Sequence, residues 1–163
     1  MFYKQERLQH VSVSNGQVST EYYAWYEWYP NYWTEITNFS IAPGDTITVT
    51  VQYLGVTNGV GQATAGLSNL TRGTSVNLHF TAPSGTTLQG NCAEWVMERP
   101  LINGQTANLP RYGHVTFTNC LACTNDKTYD GSTATPTSMV NSSNQDLSDG
   151  TNNADWLCTY LRS

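Results

Sequence analysis

An all-β fold, built as an antiparallel sandwich of two sheets, is what this chain predicts, and three observations carry it. Apolar residues recur at period two in short runs. Those runs are separated by Gly, Pro and Asn turn signals such as TNG, TRGT, APSGTT and NGQ. No segment offers a 3.6-residue apolar stripe over ten residues, so helices have no amphipathic face to build on.

In chain order, Glu21 to Tyr29 is an aromatic-rich strand ended by Pro30-Asn31, and FSIAPGD supplies a turn. Thr46 to Leu54 alternates Thr or Gln with Ile47, Val49, Val51 and Tyr53, as a half-buried strand does. Gly61 to Leu67, Ser75 to Phe80, Cys92 to Glu98, His114 to Thr118 and Trp156 to Leu161 are further strands. The polar tract 124–153 is too long for an ordinary connection and should hide weak strands near Ala134 to Val140. With 163 residues and no linker or repeat, the whole of 1–163 reads as a single domain.

Seven Lys and Arg against twelve Asp and Glu leave a net charge of −5, and only 12% of residues are charged. That balance excludes a basic nucleic-acid footprint. No run approaches the roughly 20 apolar residues that would span a bilayer, and residues 1–15 carry no secretory h-region. Cys92, Cys120, Cys123 and Cys158 are candidate disulfide cysteines with three possible pairings. Cys120 and Cys123 form a lone CxxC, which without a second half-site argues against zinc. Asn38-Phe-Ser40, Asn69-Leu-Thr71 and Asn141-Ser-Ser143 match the N-glycosylation pattern.

Parity divides the first aromatic strand into Tyr23, Trp25, Glu27 and Tyr29 on one face, and Tyr22, Ala24, Tyr26 and Trp28 on the other. Both faces are aromatic, so the face with Glu27 is expected to line a groove. The segment 92–98 reads the same way, with Ala93, Trp95 and Met97 opposed to Glu94, Val96 and Glu98. His10, His79 and His114 lack a nucleophile context; GxSxG, HExxH, calcium-loop and phosphate-loop motifs are missing from the sequence, so no cofactor or metal is expected. What remains is water activated by carboxylates, either as a glycosidase pair of Glu27 and Glu98 or as a Glu general base acting on a peptide bond. The bland alternative makes Glu94 and Glu98 solvated strand residues and the tyrosines ordinary β-formers.

Four blocks in order resemble the glutamic peptidases, or eqolisins. They are YAWYEWYP at 23–30, IAPGD at 41–45 with the alternating strand after it, NCAEWVME at 91–98, and GHVTFTN at 113–119. The hairpin sequence NLTRG at 69–73 is similar to the family's NLTTG, and the resemblance spans 9–161. It implies a legume-lectin-like (concanavalin A-like) sandwich and a secreted, monomeric, acid-active endopeptidase that cleaves protein or peptide substrates without metal. It further implies Glu98 and Gln9 as catalytic residues, with Tyr23, Trp25, Glu27 and Glu94 forming the substrate-binding wall. The family carries roughly 50 more residues ahead of the Gln. This leads to the expectation that the sandwich lacks N-terminal strands and exposes a sheet edge, and that the 163-residue chain alone is weakly active or inactive and prone to aggregate.

Overall fold

The computed structural model describes residues 2–3, 8–14, 17–88, 90–99, 101–102, 104–106, 108–109, 111–153 and 155–161. Its contacts divide the chain into two compact units, residues 1–91 and 92–163. Among the described residues the regular structure is antiparallel strand throughout, apart from one 3₁₀ turn at Gly131–Thr133.

The first unit contains β1 (Phe2–Tyr3), β2 (Leu8–Ser14), β3 (Gln17–Trp28), β4 (Thr34–Ser40), β5 (Ile47–Thr57), β6 (Val60–Asn69) and β7 (Thr74–Thr81). The long β3 is the spine of one sheet. It pairs with β2 over Gln17 to Tyr23, with β4 around Tyr23 to Tyr26, and with β1 at Glu27 and Trp28. The second sheet has the order β5-β6-β7. Its first hairpin turns at Asn58 and Gly59, with φ of +52° and +79°. That is the left-handed pair a two-residue turn between right-twisted strands requires, and Asn-Gly adopts it at the least cost.

The two sheets of this unit bury a common core. Ala24 and Trp28 from β3 and Ile36 and Phe39 from β4 pack with Ala63, Ala65 and Leu67 from β6 and Val76 and Phe80 from β7. The small Ala63 and Ala65 make room for large rings opposite, and the rings of Tyr26 and Phe80 meet at 4.8 Å between centroids. The parity of β3 is therefore realised, with Ala24, Tyr26 and Trp28 on the core side. On β5 the core-side parity continues through Val51 and Tyr53, which are nevertheless exposed, as are Leu54 and Val56. Among the described residues β5 pairs only with β6, so its outer edge carries no strand.

One polar cluster closes the end of this sandwich. Asn69, 1% exposed, donates from Nδ2 to the Ser40 carbonyl at 3.1 Å and to Asp45 Oδ2 at 2.8 Å, and its Oδ1 accepts the Arg72 amide at 3.1 Å. Asp45 Oδ2 also accepts the Ala42 amide at 2.8 Å and Arg72 Nε at 2.6 Å. The IAPGD turn and the NLTRG hairpin are thus tied together by side chains. This settles one sequence motif: the Asn69 amide is committed inside the fold and is no glycan acceptor, whereas Asn38 lies exposed on β4 and the Asn141 amide donates to Gln145.

The second unit holds β8 (Leu101–Ile102), β9 (Gln105–Thr106), β10 (His114–Phe117), β11 (Leu121–Cys123), β12 (Thr128–Asp130), β13 (Met139–Val140), β14 (Asp146–Asn153) and β15 (Asp155–Tyr160). Four of these form a sheet of order β10-β15-β14-β13, while β8-β9 and β11-β12 are hairpins. The tract 124–153 contains strands β12, β13 and β14, but of the region Ala134 to Val140, where weak strands were expected, only Met139–Val140 is strand. The period-two reading omitted β1, β2, β4, β8, β9, β11, β12 and β14, most of which are polar or only two to three residues long and leave little period-two signal. Asp130 caps the 3₁₀ turn by accepting the Ser132 amide at 2.9 Å and the Ser132 hydroxyl, and the latter bond leads in lowering its pKa.

The Asn69 cluster makes two tests. Asn69→Ala leaves buried polar groups without partners and should cost about 1–3 kcal/mol in urea denaturation. The Asp45 carboxyl titrates below its ordinary value, chiefly through its hydrogen bond from Arg72. A depressed folded-state pKa gives stability that is complete above the unfolded value and lost as pH falls through the folded one. Arg72→Met should therefore raise the pH at which the chain acid-unfolds; an unchanged midpoint would remove Asp45 from the acid-stability account.

Candidate active site

On β3, the residues at i, i+2 and i+4, Tyr23, Trp25 and Glu27, stand on the face turned from the unit's core, which the strand's pleat dictates. Tyr23 and Glu27 are half-buried and Trp25 is 4% exposed. The Tyr23 ring stacks on Trp33 with centroids 5.8 Å apart. Trp25 Nε1 is buried without a hydrogen-bond partner among the described residues. An indole N–H left unpaired costs free energy, and such orphans are found where a ligand or water completes the bond. Gln9 lies on β2 at the register position opposite Tyr22, and its side chain is outside the described residues.

In the second unit, a cavity of about 880 Å³ is lined by all of residues 92–99 together with Thr106, Ala134, Thr135, Thr137 to Val140, Ser148 and Gly150. Glu98 and Glu94 thus border the same space, Glu98 half-buried and Glu94 exposed. The expectation of a strand over Cys92 to Glu98 is corrected here. Residues 91–99 enter no sheet ladder, and both parities of the segment line the cavity. The alternating pattern is a local property of the chain, while a ladder needs a partner strand, and none is supplied to this segment among the described residues.

The opposite wall is braced. Ser138 Oγ donates to Asp149 Oδ1 at 2.8 Å, Met139 pairs with Ser148 across β13 and β14, and Ser148 Oγ lies 2.5 Å from Tyr112 Oη. A Cβ at Gly150 would stand 2.8 Å from the Thr137 carbonyl oxygen, so only glycine lets this chain segment approach β14 so closely. Sequence reasoning had marked 134–140 only as a hidden strand. Nothing local in it announces a cavity wall.

Cys92 and Cys123 are exposed free thiols, Cys120 is buried, and the side chain of Cys158 is outside the described residues. Cys123 Sγ lies 3.6 Å from Thr128 Oγ1 across the β11-β12 hairpin. No group of three or more His, Cys, Asp or Glu suited to hold a metal occurs among the described residues.

The chain is thus an all-β protein of antiparallel sheets, and its second unit holds a cavity bordered by Glu94 and Glu98. The chain belongs to the Peptidase A4 family, whose model matches residues 9–160. It is 36% identical over 116 residues to aspergillopepsin-2 of Aspergillus niger, covering 71% of this chain and 40% of that protein. To scytalidopepsin B of Scytalidium lignicola it is 36% identical over 77 residues, 47% of this chain and 28% of that one. The matched stretch therefore spans less than half the length of either relative. Among solved structures, aspergilloglutamic peptidase from Aspergillus niger superimposes with a TM-score of 0.76 at 32% identity, covering 93% of this chain and 85% of that chain. Scytalido-glutamic peptidase, solved with a transition state analog inhibitor, gives a TM-score of 0.69 at 25% identity over 97% and 78% of the two chains.

The orphan indole makes a prediction. Trp25→Phe removes the unpaired donor but keeps most of the ring's apolar contact, so urea denaturation should shift by no more than about 1–2 kcal/mol. If the N–H serves bound substrate, KM for peptides should rise by more than that shift explains; an unchanged KM would assign Trp25 to packing alone.

Proposed function

We propose that this chain is a metal-independent acid endopeptidase in which Glu98 is the general base and Gln9 the oxyanion donor. The observation that carries the reading is Glu98 itself, the last residue of the AEWVME block, half-buried and bordering a cavity large enough for a peptide segment. Membership of the Peptidase A4 family over 9–160 supports it. Gln9 is assigned from its place in the family's Gln-bearing strand.

In the proposed cycle the Glu98 carboxylate takes a proton from water, and the oxygen attacks the peptide carbonyl carbon. The Gln9 amide donates a hydrogen bond to the oxyanion that develops. Glu98, now protonated, passes its proton to the leaving nitrogen as the C–N bond breaks. A group that must start ionised as a base, carry the proton in mid-cycle and then give it up as an acid works best near the ordinary carboxylate range, about 4.3 for Glu. Tyr23, Trp25, Glu27 and Glu94 are read as substrate-binding residues, the aromatics offering flat apolar area and the carboxyls hydrogen-bond acceptors. We read 1–163 as one peptidase domain acting outside the cell, as a monomer.

The test is hydrolysis of a denatured protein between pH 2 and 5, with and without a chelator. Glu98→Gln should remove almost all turnover with the fold intact, and more than a tenth of the activity remaining would sink the assignment. Gln9→Ala should lower kcat about 10²- to 10³-fold, the size of one oxyanion donor. A rate abolished by the chelator would contradict the metal-free mechanism.

A further inference from the structure

The fold treats the three N-glycosylation motifs differently. Asn69 is 1% exposed and its amide is committed to Ser40, Asp45 and Arg72, so a sugar there would displace the cluster that closes the first unit's sandwich. Asn141 holds the β13-β14 turn. Its Oδ1 accepts the Ser143 and Gln145 amides at 2.9 and 3.0 Å, and its Nδ2 donates to Gln145 Oε1 at 3.0 Å. Asn38 has no such duty: its side chain is exposed and makes no hydrogen bond among the described residues.

The backbone explains that freedom. Between the pairs Tyr23 with Ser40 and Trp25 with Glu35, two steps along β3 correspond to five along β4. The extra length bows residues 36–39 out of the ladder, as a bulge does. Ile36 and Phe39 turn into the core, while Thr37 and Asn38 are left in water. Ser40, whose hydroxyl completes the Asn-Phe-Ser motif, is exposed as well. Among the described residues β4 pairs only with β3, so no further strand of its sheet flanks the bulge.

We propose that Asn38 carries an N-linked glycan. This goes beyond the peptidase reading and rests only on the part of it that places the chain outside the cell. The transferase of the secretory pathway supplies an oligosaccharide joined to a lipid through pyrophosphate. Asn38 Nδ2 bonds to the anomeric carbon of the first sugar, the bond from that carbon to the pyrophosphate oxygen breaks, the lipid pyrophosphate leaves, and Nδ2 gives up one proton; nothing is oxidised or reduced. The fold then acts as a filter. Chains modified at Asn69 cannot close the polar cluster, whereas chains modified at Asn38 fold with no contact displaced. The glycan's bulk on an edge strand also hinders pairing with other chains.

The experiment secretes the full chain from a eukaryotic expression host behind a cleavable leader. Folded protein from the medium is treated with an amidase that releases N-glycans and turns the carrier Asn into Asp, which peptide mass mapping locates. The Asn38 peptide should show that conversion, Asn38→Gln should lose the mass of this glycan, and Asn141→Gln should keep it. Secreted protein unmodified at Asn38 overturns the proposal, and so does protein glycosylated at Asn69 that is folded by near-ultraviolet circular dichroism.

Because the leader directs secretion, those outcomes do not depend on where the natural protein acts. Natural protein recovered only from inside its cells would overturn the extracellular reading, and with it the glycan on the natural chain. Hydrolysis of denatured protein by the same preparations tests Glu98 separately.

Discussion

The amide of Asn69 is the constraint on which the first unit's sandwich depends. Its three hydrogen bonds reach the end of β4 through Ser40, the β4-β5 turn through Asp45 and the β6-β7 turn through Arg72. These are the points where the chain crosses from one sheet to the other and then turns back within the second. Hydrophobic burial brings Trp28, Phe39, Leu67 and Phe80 together, but it is non-directional and cannot set how the sheets are offset. A buried amide with every partner in place can, because any slip strands a donor or acceptor away from water. Asp45 shares one of these and accepts three hydrogen bonds in all on one oxygen, from Ala42, Asn69 and Arg72, and its ion pair with Arg72 keeps it ionised where a lone carboxyl would take up a proton.

The second unit solves a different problem: holding an open space beside a segment that is not itself part of a sheet. Residues 92–99 give the cavity its charge, and the β13-β14 pair gives it a stiff neutral wall. Gly150 sets the position of that wall, since its missing Cβ is what allows Thr137 to approach so closely.

Much of this architecture was legible from residue order. Period-two runs located β3, β5, β6, β7, β10 and β15 to within a few residues, except that β3 begins four residues earlier than its aromatic run and β5 runs three further. The Asn58-Gly59 turn followed from the cost of positive φ. Parity also separated Ala24, Tyr26 and Trp28 from Tyr23, Trp25 and Glu27, and it is the former set that faces the core. The same rule failed over 92–98, because alternation records what each side chain is, whereas a strand exists only when another backbone satisfies its N–H and C=O groups.

What the sequence by itself determined, then, is the strand class, the turn chemistry and the family blocks, all properties of neighbours along the chain. Tertiary structure alone decided that Asn69 is a buried clamp and not a glycan acceptor, that Trp25 ends with its indole N–H buried and without a partner among the described residues, and that 134–140 walls the space beside Glu98. Each of these joins residues from about a dozen to more than forty positions apart, or turns on which face is covered. Local pattern specifies two faces but not their partners, and it is long-range contact, closed against the entropy of the intervening loops, that selects them.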